Sequence, residues 1–222
     1  MKQISCVIWD NDNTLVPTAE YHFQKHKEVA ARYEVEILDE HRNRIATNNG
    51  LQNWEWMRNE LNLYAPRHQY LQEIDDWFQK HASEMSINPD IMKAIIEIHS
   101  MKVPQVIFSN ARRSSLNITV KQNKLKDFMT LIWGKEDYEG RKNTPDPYKQ
   151  LKKAIEAKTG LTLLTSNMLF IDDDAACIDA AAEAGLITAH YLCGPDKGEA
   201  KNAHHVITKS SEIQDLILKK IL

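Results

Sequence analysis

Three short apolar runs, each stopped abruptly by polar residues, limit the possible folds of this chain more than any other feature. The runs are Ile4–Trp9, Val103–Phe108 and Met168–Ile171. Each is four to six residues long and consists mostly of aliphatic or aromatic side chains. Runs of this length and composition are typical of buried strands. We therefore predict three strands that end just before Asp10, Ser109 and Asp172.

Helical patterns alternate with further strand patterns in the second half of the chain. A helix-start signal, Asn88-Pro89-Asp90, precedes the first of these helices, whose apolar positions continue to Ile98. The other predicted helices begin near Ser114 or cover Asp146–Ala157, Ala175–Ala184 and Ser211–Leu222, and the other predicted strands lie near Thr130–Trp133, Ile187–Leu192 and His205–Ile207. This alternation predicts an α/β fold, a doubly wound parallel sheet with helices on both faces.

The segment between the first two strands has a different pattern. Helical patterns cover residues 19–32, 52–63 and 66–84, and no strand pattern interrupts residues 19–85. We therefore predict two domains. Residues 1–16 and 87–222 form the core, and residues 17–86 form an inserted α-helical domain, which we call the helical insert.

The composition argues against several classes of function. The 222 residues carry a formal net charge of −3, and their positive charges form no basic field that would bind a nucleic-acid backbone. No apolar stretch approaches the roughly 18 residues of a membrane span. The first apolar run ends without a small-residue cleavage site, and the three cysteines form no CxxC pair. We therefore expect a cytoplasmic enzyme that acts on neither nucleic acids nor membranes.

The polar residues that stop the three strands are unusually acidic. Parallel strands present their carboxyl ends at one edge of a sheet, where ligands bind, so these residues are expected to meet. They are Asp10, Asp12 and Asp172–Asp174, accompanied by Thr14 and Ser109. Five carboxylates at one edge repel each other unless a cation lies among them, and oxygen ligands are typical of Mg²⁺ sites. The sequence therefore predicts a magnesium site at this edge.

Four motifs resemble those of the haloacid dehalogenase-like phosphatases. In chain order they are Asp10–Leu15, similar to the family's DxDxT motif, Ser109-Asn110, Lys142–Tyr148, similar to its K-P-x-P-D-x-[FY] run, and Phe170–Asp173, similar to its acidic fourth motif. Asn13 stands where many relatives have glycine, and asparagine tolerates the same left-handed backbone. The resemblance implies a Rossmann-like core with a small α-helical cap where the helical insert lies.

The resemblance also implies roles for individual residues. Asp10 would attack phosphorus and form an aspartyl-phosphate, and Asp12 would act first as general acid and then as general base. Mg²⁺ would be held by Asp10, the backbone carbonyl of Asp12, Asp172 and Asp173. The phosphoryl group would be bound by Thr14, Ser109, Asn110 and Lys142.

Substrate specificity in the similar family lies in the cap. Residues 48–52 resemble the cap loop that reaches towards the substrate. The candidate specificity residues are therefore Asn49, Gly50 and Leu51 in this loop, together with His22 near the first motif.

The predicted function is Mg²⁺-dependent hydrolysis of a small phosphorylated metabolite. A phosphomutase or phosphotransferase shares the whole core and stays open as an alternative. Haloacid dehalogenation needs neither a proton donor nor a metal, so Asp12, Asp172 and Asp173 argue against it. A non-catalytic phosphate-binding module is disfavoured because every catalytic residue type of the family is present.

Overall fold

Every predicted motif lies on or beside a parallel sheet. The computed structural model describes residues 3–193 and 198–221. The strands in these residues are β1 (Cys6–Trp9), β2 (Gln105–Phe108), β3 (Leu131–Trp133), β4 (Met168–Asp172), β5 (Ile187–Tyr191) and β6 (His205–Ile207). They pair in parallel in the order β3-β2-β1-β4-β5-β6. The predicted α/β fold with a parallel sheet is confirmed.

Helices separate most of the strands and fill the segment after β1. They are α1 (Ala19–Ala31), α2 (Arg42–Thr47), α3 (Gly50–Glu60), α4 (Arg67–Lys80), α5 (Pro89–Ser100), α6 (Arg113–Gln122), α7 (Asp146–Thr159), α8 (Ala175–Glu183) and α9 (Ser210–Ile221). In the part of the chain that the structure describes, no helix is long and apolar enough to cross a membrane.

The sheet is covered on both faces. Successive side chains of a strand point to opposite sides, and in β1 Val7 and Trp9 belong to one hydrophobic cluster while Cys6 and Ile8 belong to another. All four side chains are fully buried. A strand with two buried faces needs a continuous apolar run, which explains the pattern that predicted β1.

The chain changes sides of the sheet between β1 and β4. From β1 it moves outward to β2 and β3, and it then returns to place β4 on the other side of β1. Such a switch point leaves a crevice at the carboxyl ends of the two strands. Trp9 pairs with Ile171, so Asp10 and Asp172, the next residues, lie side by side at this crevice.

Between β1 and α5, residues 19–84 contain helices and no strand. Helix α4 packs against both α1 and α3. The buried aromatic side chains of this segment include Trp54, Trp56, Tyr70 and Trp77. These side chains belong to the same hydrophobic cluster as Val7 and Trp9 of β1, so the helical insert packs continuously with one face of the sheet.

Several element boundaries differ from the prediction. Helix α3 begins at Gly50 rather than Gln52, because Asn49 and Gln52 form a capping box that extends it into the predicted loop. Helix α2 was not predicted, and α4 ends at Lys80 instead of continuing to Glu84. The predicted end of the last helix, Leu222, lies outside the described residues.

Candidate active site

Lys142 links the acidic residues at the ends of β1 and β4. Its buried Nζ contacts Oδ1 of Asp10 and lies 2.7 Å from Oδ2 of Asp172. The backbone N–H of Asp10 donates to the carbonyl of Ile171 over 2.9 Å, which continues the strand pairing beyond β1. Asp10 is therefore held against the acidic end of β4 by both its backbone and its side chain.

The charge on Asp10 depends on the cations around it. Burial raises the pKa of Asp10, Lys142 opposes this, and the neighbouring carboxylates raise it further, so that it lies well above its usual range. Burial lowers the pKa of Lys142, but the two carboxylates outweigh this and hold it above its usual range. Lys142 is therefore charged. A second cation beside Asp10 would lower its pKa further and favour the ionised form.

Three buried carboxylates offer a place for that cation. One oxygen from each of Asp10, Asp172 and Asp173 lies within 4.8 Å of the other two. The backbone N–H of Asp174 donates to Oδ1 of Asp172 over 2.7 Å, while the Asp174 side chain caps α8. These hard oxygen donors carry more negative charge than Lys142 balances. The donor set therefore fits Mg²⁺.

The residues that end β2 line the same cavity. Oγ of Ser109 accepts a hydrogen bond from the backbone N–H of Ala111 at 3.0 Å, and Oδ1 of Asn110 accepts one from the Tyr138 hydroxyl at 2.8 Å. Thr14 is buried away from this wall, and its hydroxyl has no hydrogen-bond partner among the described residues. The structure thus brings Ser109 and Asn110 to the cavity but not Thr14.

The side chain of Asp12 turns towards the helical insert and is not one of the three clustered carboxylates. Its Oδ1 accepts a hydrogen bond from the Thr18 hydroxyl at 2.6 Å, and Nε2 of His22 lies 2.9 Å from the same oxygen. Burial raises the pKa of Asp12, but His22 and Thr18 outweigh it and hold the pKa below its usual range. Asp12 is therefore a carboxylate in the protein without substrate.

Lys25 lies behind His22 on the same face of α1. Its Nζ is 2.7 Å from Nδ1 of His22, and both side chains pack on Phe78. The imidazole stacks at 5.2 Å between ring centroids, and the ammonium lies 4.8 Å from the phenyl centroid. Burial lowers the pKa of Lys25 to about 8, so the side chain is charged at neutral pH. Asp12, His22 and Lys25 therefore form a continuous polar row.

Asn13 joins the first motif to α1. Its φ angle is 64°, in the left-handed region that was expected to be tolerated here. Its Oδ1 accepts a hydrogen bond from the backbone N–H of Ala19, the first residue of α1, at 2.8 Å. The side chain of Asn13 thus connects the loop of the first motif to the start of α1.

These residues surround a cavity of about 310 Å³ between the sheet edge and the helical insert. The core side of its lining includes Asp10, Asp12, Ser109, Asn110, Lys142, Asp172 and Asp173. The insert side includes His22, Lys25, His26, Asn49, Gly50 and Ile74. The structure therefore gathers most of the predicted site residues around one space.

The predicted specificity residues separate into two groups. His22, Asn49 and Gly50 line the cavity, whereas Leu51 packs against the hydrophobic cluster of the molecule. The reason is the helical conformation from Gly50 onward, which turns consecutive side chains to different directions. A Cβ atom on Gly50 would lie 2.9 Å from Cδ1 of Ile74, so glycine allows α3 to begin close to α4.

Sequence reasoning missed Thr18 and Lys25. With His22 they follow the first motif at spacings of four and three residues, which places them on one helix face. That polar spacing was the available signal. His26, one residue further along α1, is buried, and its Nδ1 lies 2.8 Å from the Tyr70 hydroxyl.

A charged contact connects the core to the helical insert at the cavity rim. Arg112, just before α6, lies 2.5 Å from Oδ1 of Asp75 in α4. The hydroxyls of Ser114 and Ser115 donate to the same carboxylate at 2.7 and 3.0 Å. Asp75 therefore ties α4 to the segment that follows Ser109.

Comparisons with known proteins agree with this geometry. The model of the haloacid dehalogenase-like hydrolases matches residues 7–190 of the chain. No curated protein gives a significant match.

Solved structures match over nearly the whole chain. CbbY from Rhodobacter sphaeroides, in complex with phosphate, has a TM-score of 0.81 and 16% identity, covering 95% of this chain and 96% of CbbY. A β-phosphoglucomutase from Clostridium difficile has a TM-score of 0.79 and 17% identity, covering 98% and 97% of the two chains. A predicted phosphoglycolate phosphatase from Haemophilus somnus 129PT has a TM-score of 0.78 and 14% identity, covering 97% and 99%. At these identities the matches show a shared fold.

Proposed function

The chain belongs to the haloacid dehalogenase-like hydrolase family, and from this premise we propose that it is a Mg²⁺-dependent phosphatase acting on a small phosphomonoester. The observation that carries the proposal is the buried group of Asp10, Lys142, Asp172 and Asp173. Phosphoryl transfer needs a nucleophile within reach of positive charge, because the substrate itself is negative. Asp10 is the residue of this group that satisfies both needs.

In the first step, a carboxylate oxygen of Asp10 attacks phosphorus and the bond to the ester oxygen breaks. The anionic substrate raises the pKa of Asp12, so its carboxyl takes a proton from solvent as the substrate binds and gives it to the leaving oxygen; an alcohol departs and an aspartyl-phosphate remains. The ammonium of Lys142, together with Ser109 and Asn110, binds the transferred phosphoryl oxygens.

In the second step, Asp12 is again a carboxylate and takes a proton from water. The water oxygen attacks phosphorus, inorganic phosphate leaves, and Asp10 returns to its carboxylate form. The hydrogen bonds that Thr18 and His22 offer to Asp12 favour the base form needed here. Mg²⁺, bound by Asp10, Asp172, Asp173 and the backbone carbonyl of Asp12, would supply the charge that keeps Asp10 ionised.

The helical insert, residues 17–86, acts as the cap in this proposal. It supplies the cavity wall opposite the sheet edge, including His22 and Asn49. A wall that closes over the substrate excludes bulk water and selects the leaving group. A small phosphorylated metabolite fits a cavity of about 310 Å³ and the predicted cytoplasmic location.

The test is the hydrolysis of p-nitrophenyl phosphate by the wild-type protein and the Asp10→Asn variant, each with and without Mg²⁺. We expect metal-dependent release of phosphate by the wild type and a rate at least about 1,000-fold lower in the variant, because an amide does not attack phosphorus. No release by the wild type, from this ester or a panel of phosphometabolites, would contradict the proposal. Transfer of phosphate between two hydroxyls of one substrate would instead assign a mutase.

A further inference from the structure

The cavity contains a buried ammonium group without a carboxylate partner. Lys25 is 5% exposed. Among the described residues, its Nζ contacts Nδ1 of His22 at 2.7 Å and the ring of Phe78 at 4.8 Å from the centroid, and it forms no salt bridge. Burial of an unpaired charge is unfavourable, and lysine is rarely this buried unless it is paired. The carboxylates of Asp12 and Asp75 offset part of this penalty without forming a salt bridge, and a ligand that brings a negative charge into contact with Lys25 would offset more of it.

The other cationic side chains of the cavity are satisfied in other ways. Lys142 and Arg112 each contact a carboxylate. Lys135 and Arg141 reach solvent, where water hydrates them. Of the described cationic residues that line the cavity, Lys25 is the one that combines burial with the lack of an acidic partner.

Lys25 also retains donors for a ligand. A charged ammonium carries three N–H groups, and His22 accepts one of them. The face of Phe78 interacts with the charge but accepts no conventional hydrogen bond. Because Lys25 lines the cavity, its remaining donors are available to a bound substrate.

The position of Lys25 indicates which part of the substrate it meets. Nε2 of His22 lies 2.9 Å from Asp12, and Nδ1 of the same ring lies 2.7 Å from Lys25. Asp12 must reach the leaving-group oxygen to protonate it. Lys25 is separated from Asp12 by the imidazole ring of His22 and the hydrogen bond on each side of it, so it lies farther than Asp12 from the sheet edge along the insert wall. A leaving group that meets both Asp12 and Lys25 would therefore extend a few bonds beyond the ester oxygen along the insert wall.

We propose that Lys25 binds a second anionic group of the substrate, so that the leaving group of the phosphomonoester carries a carboxylate or a second phosphate. This inference rests on the proposed function, because it assigns the leaving group of the same reaction. It makes Lys25 a specificity-determining residue on the helical insert.

The first test compares phosphomonoesters whose leaving groups have two carbons and differ mainly in charge. They are 2-phosphoglycolate, ethane-1,2-diol bisphosphate, ethyl phosphate and phosphoethanolamine. We expect kcat/KM of the wild type for at least one anionic ester to exceed that for ethyl phosphate by about tenfold or more. Phosphoethanolamine should be the poorest, because its ammonium repels Lys25. The comparison of the first two esters distinguishes a carboxylate from a second phosphate.

The second test replaces Lys25 and measures the ratio of kcat/KM between the preferred anionic ester and ethyl phosphate. Lys25→Met retains length and packing on Phe78 but removes the charge, and it should reduce the ratio to about one. Lys25→Arg should retain most of the preference. Lys27→Met removes an exposed charge from the same helix, outside the cavity, and should leave the ratio unchanged. A ratio is measured because any change transmitted through His22 to Asp12 affects both esters alike.

Two results would overturn the inference. One is a wild-type protein with equal kcat/KM for charged and neutral esters. The other is an equal loss for both ester types in Lys25→Met, which would mean that Lys25 only positions His22. Calorimetric binding of 2-phosphoglycolate, the bisphosphate and ethyl phosphate to the Asp10→Asn protein with Mg²⁺ separates this question from turnover. If the double variant Asp10→Asn/Lys25→Met bound all three esters as tightly as Asp10→Asn alone, the inference would be rejected even if the wild type hydrolysed none of them.

Discussion

The two walls of the cavity are built in different ways. On the core wall, Asp10 and Asp172 are positioned by the hydrogen bonds of adjacent parallel strands. On the insert wall, His22 and Lys25 are positioned by a helix face, by their mutual hydrogen bond and by contact with Phe78. A residue at the end of a strand has its position fixed by the pairing of that strand. The position of a residue on a helix also depends on which face the helix turns towards its neighbours. This difference separates the residues of the proposed reaction from the residues of proposed recognition.

The walls also differ in charge. The core wall holds clustered carboxylates with one buried lysine, and a further cation would stabilise it. The insert wall holds a lysine and two histidines, and among the described residues Lys25 forms no salt bridge, although the carboxylates of Asp12 and Asp75 act on its charge without contact. Substitutions on the core wall should therefore respond to Mg²⁺, while those on the insert wall should not.

The largest effect is expected from Lys142→Met on the core wall. Removal of the ammonium leaves the buried carboxyl groups of Asp10 and Asp172 without their shared cationic partner, so the free energy of unfolding should fall by about 3–5 kcal/mol without Mg²⁺. The value of kcat should fall by about 100-fold or more, because the phosphoryl oxygens lose a charged donor. Urea unfolding and steady-state kinetics measure the two effects. Lys149→Met, an exposed substitution in α7, is the control, and a loss of under about 1 kcal/mol at Lys142 would contradict this description.

Metal binding should give the next largest effect. Mg²⁺ at about 100 times its dissociation constant should stabilise the protein by about 2.7 kcal/mol, which raises Tm by about 5–10 °C for a chain of this size. Thermal unfolding across a Mg²⁺ titration measures the shift. Asp173→Asn should reduce it, and Lys25→Met should not. A reduced Tm shift in both variants would show that stabilisation by Mg²⁺ depends on the insert wall as well as on the core wall.

A pH effect should arise on the insert wall without metal. Burial lowers the pKa of His26 well below its usual range, so the folded protein keeps this ring neutral. The unfolded chain binds the proton below about pH 6.5, and stability is therefore lost as the pH falls below that value, by up to about 1.4 kcal/mol per unit. Urea unfolding at several pH values between 7 and 5 measures the slope. His26→Gln should flatten it, and an unaltered slope would remove His26 as its cause.

The smallest effect is expected at Asn49. Its side chain accepts a hydrogen bond from the backbone N–H of Gln52 at 3.0 Å and caps α3 at the cavity rim. Asn49→Ala should lower the free energy of unfolding by about 1 kcal/mol, while Asn49→Asp should preserve it. Chemical denaturation measures both. Equal losses in the two variants would mean that the cap is not the stabilising feature.

The same contrast explains what could be predicted from the sequence. The motifs that contain Asp10 and Ser109 predict the core wall, because a residue directly after a strand has a defined position at the sheet edge, whereas Lys142 lies in a loop before α7 and was placed by the resemblance of its motif. The role of Lys25 could not be predicted in this way. It depends on Phe78, which lies more than fifty positions away in α4 and selects the face that α1 presents. Thr14 was placed at the phosphate because its motif is adjacent, but the loop turns its side chain inward.

The fold itself was predicted more completely than the helical insert. Continuous apolar runs predict the strands of the sheet, and strong helix starts predict the helices between them. The capping of α5 by Asn88 is an example of such a helix start. The insert contains α2, whose six residues are too short to produce a clear helical period. The prediction also overlooked the capping box at Asn49 and therefore placed the start of α3 about half a turn too late. For the same reason Leu51 was assigned to a loop at the cavity, although it lies in the helix and packs against the hydrophobic cluster.

Asn13 has a consequence for which substitutions this protein can accept during its evolution. Its position demands a left-handed backbone and, at the same time, an oxygen that accepts from the N–H of Ala19. Glycine meets the first demand only, and serine or threonine readily meets the second only. Asparagine and aspartate meet both. A change to most other residues therefore loses the hydrogen bond to Ala19, the left-handed backbone or both, and each loss weakens the connection between the first motif and the helix that carries His22 and Lys25.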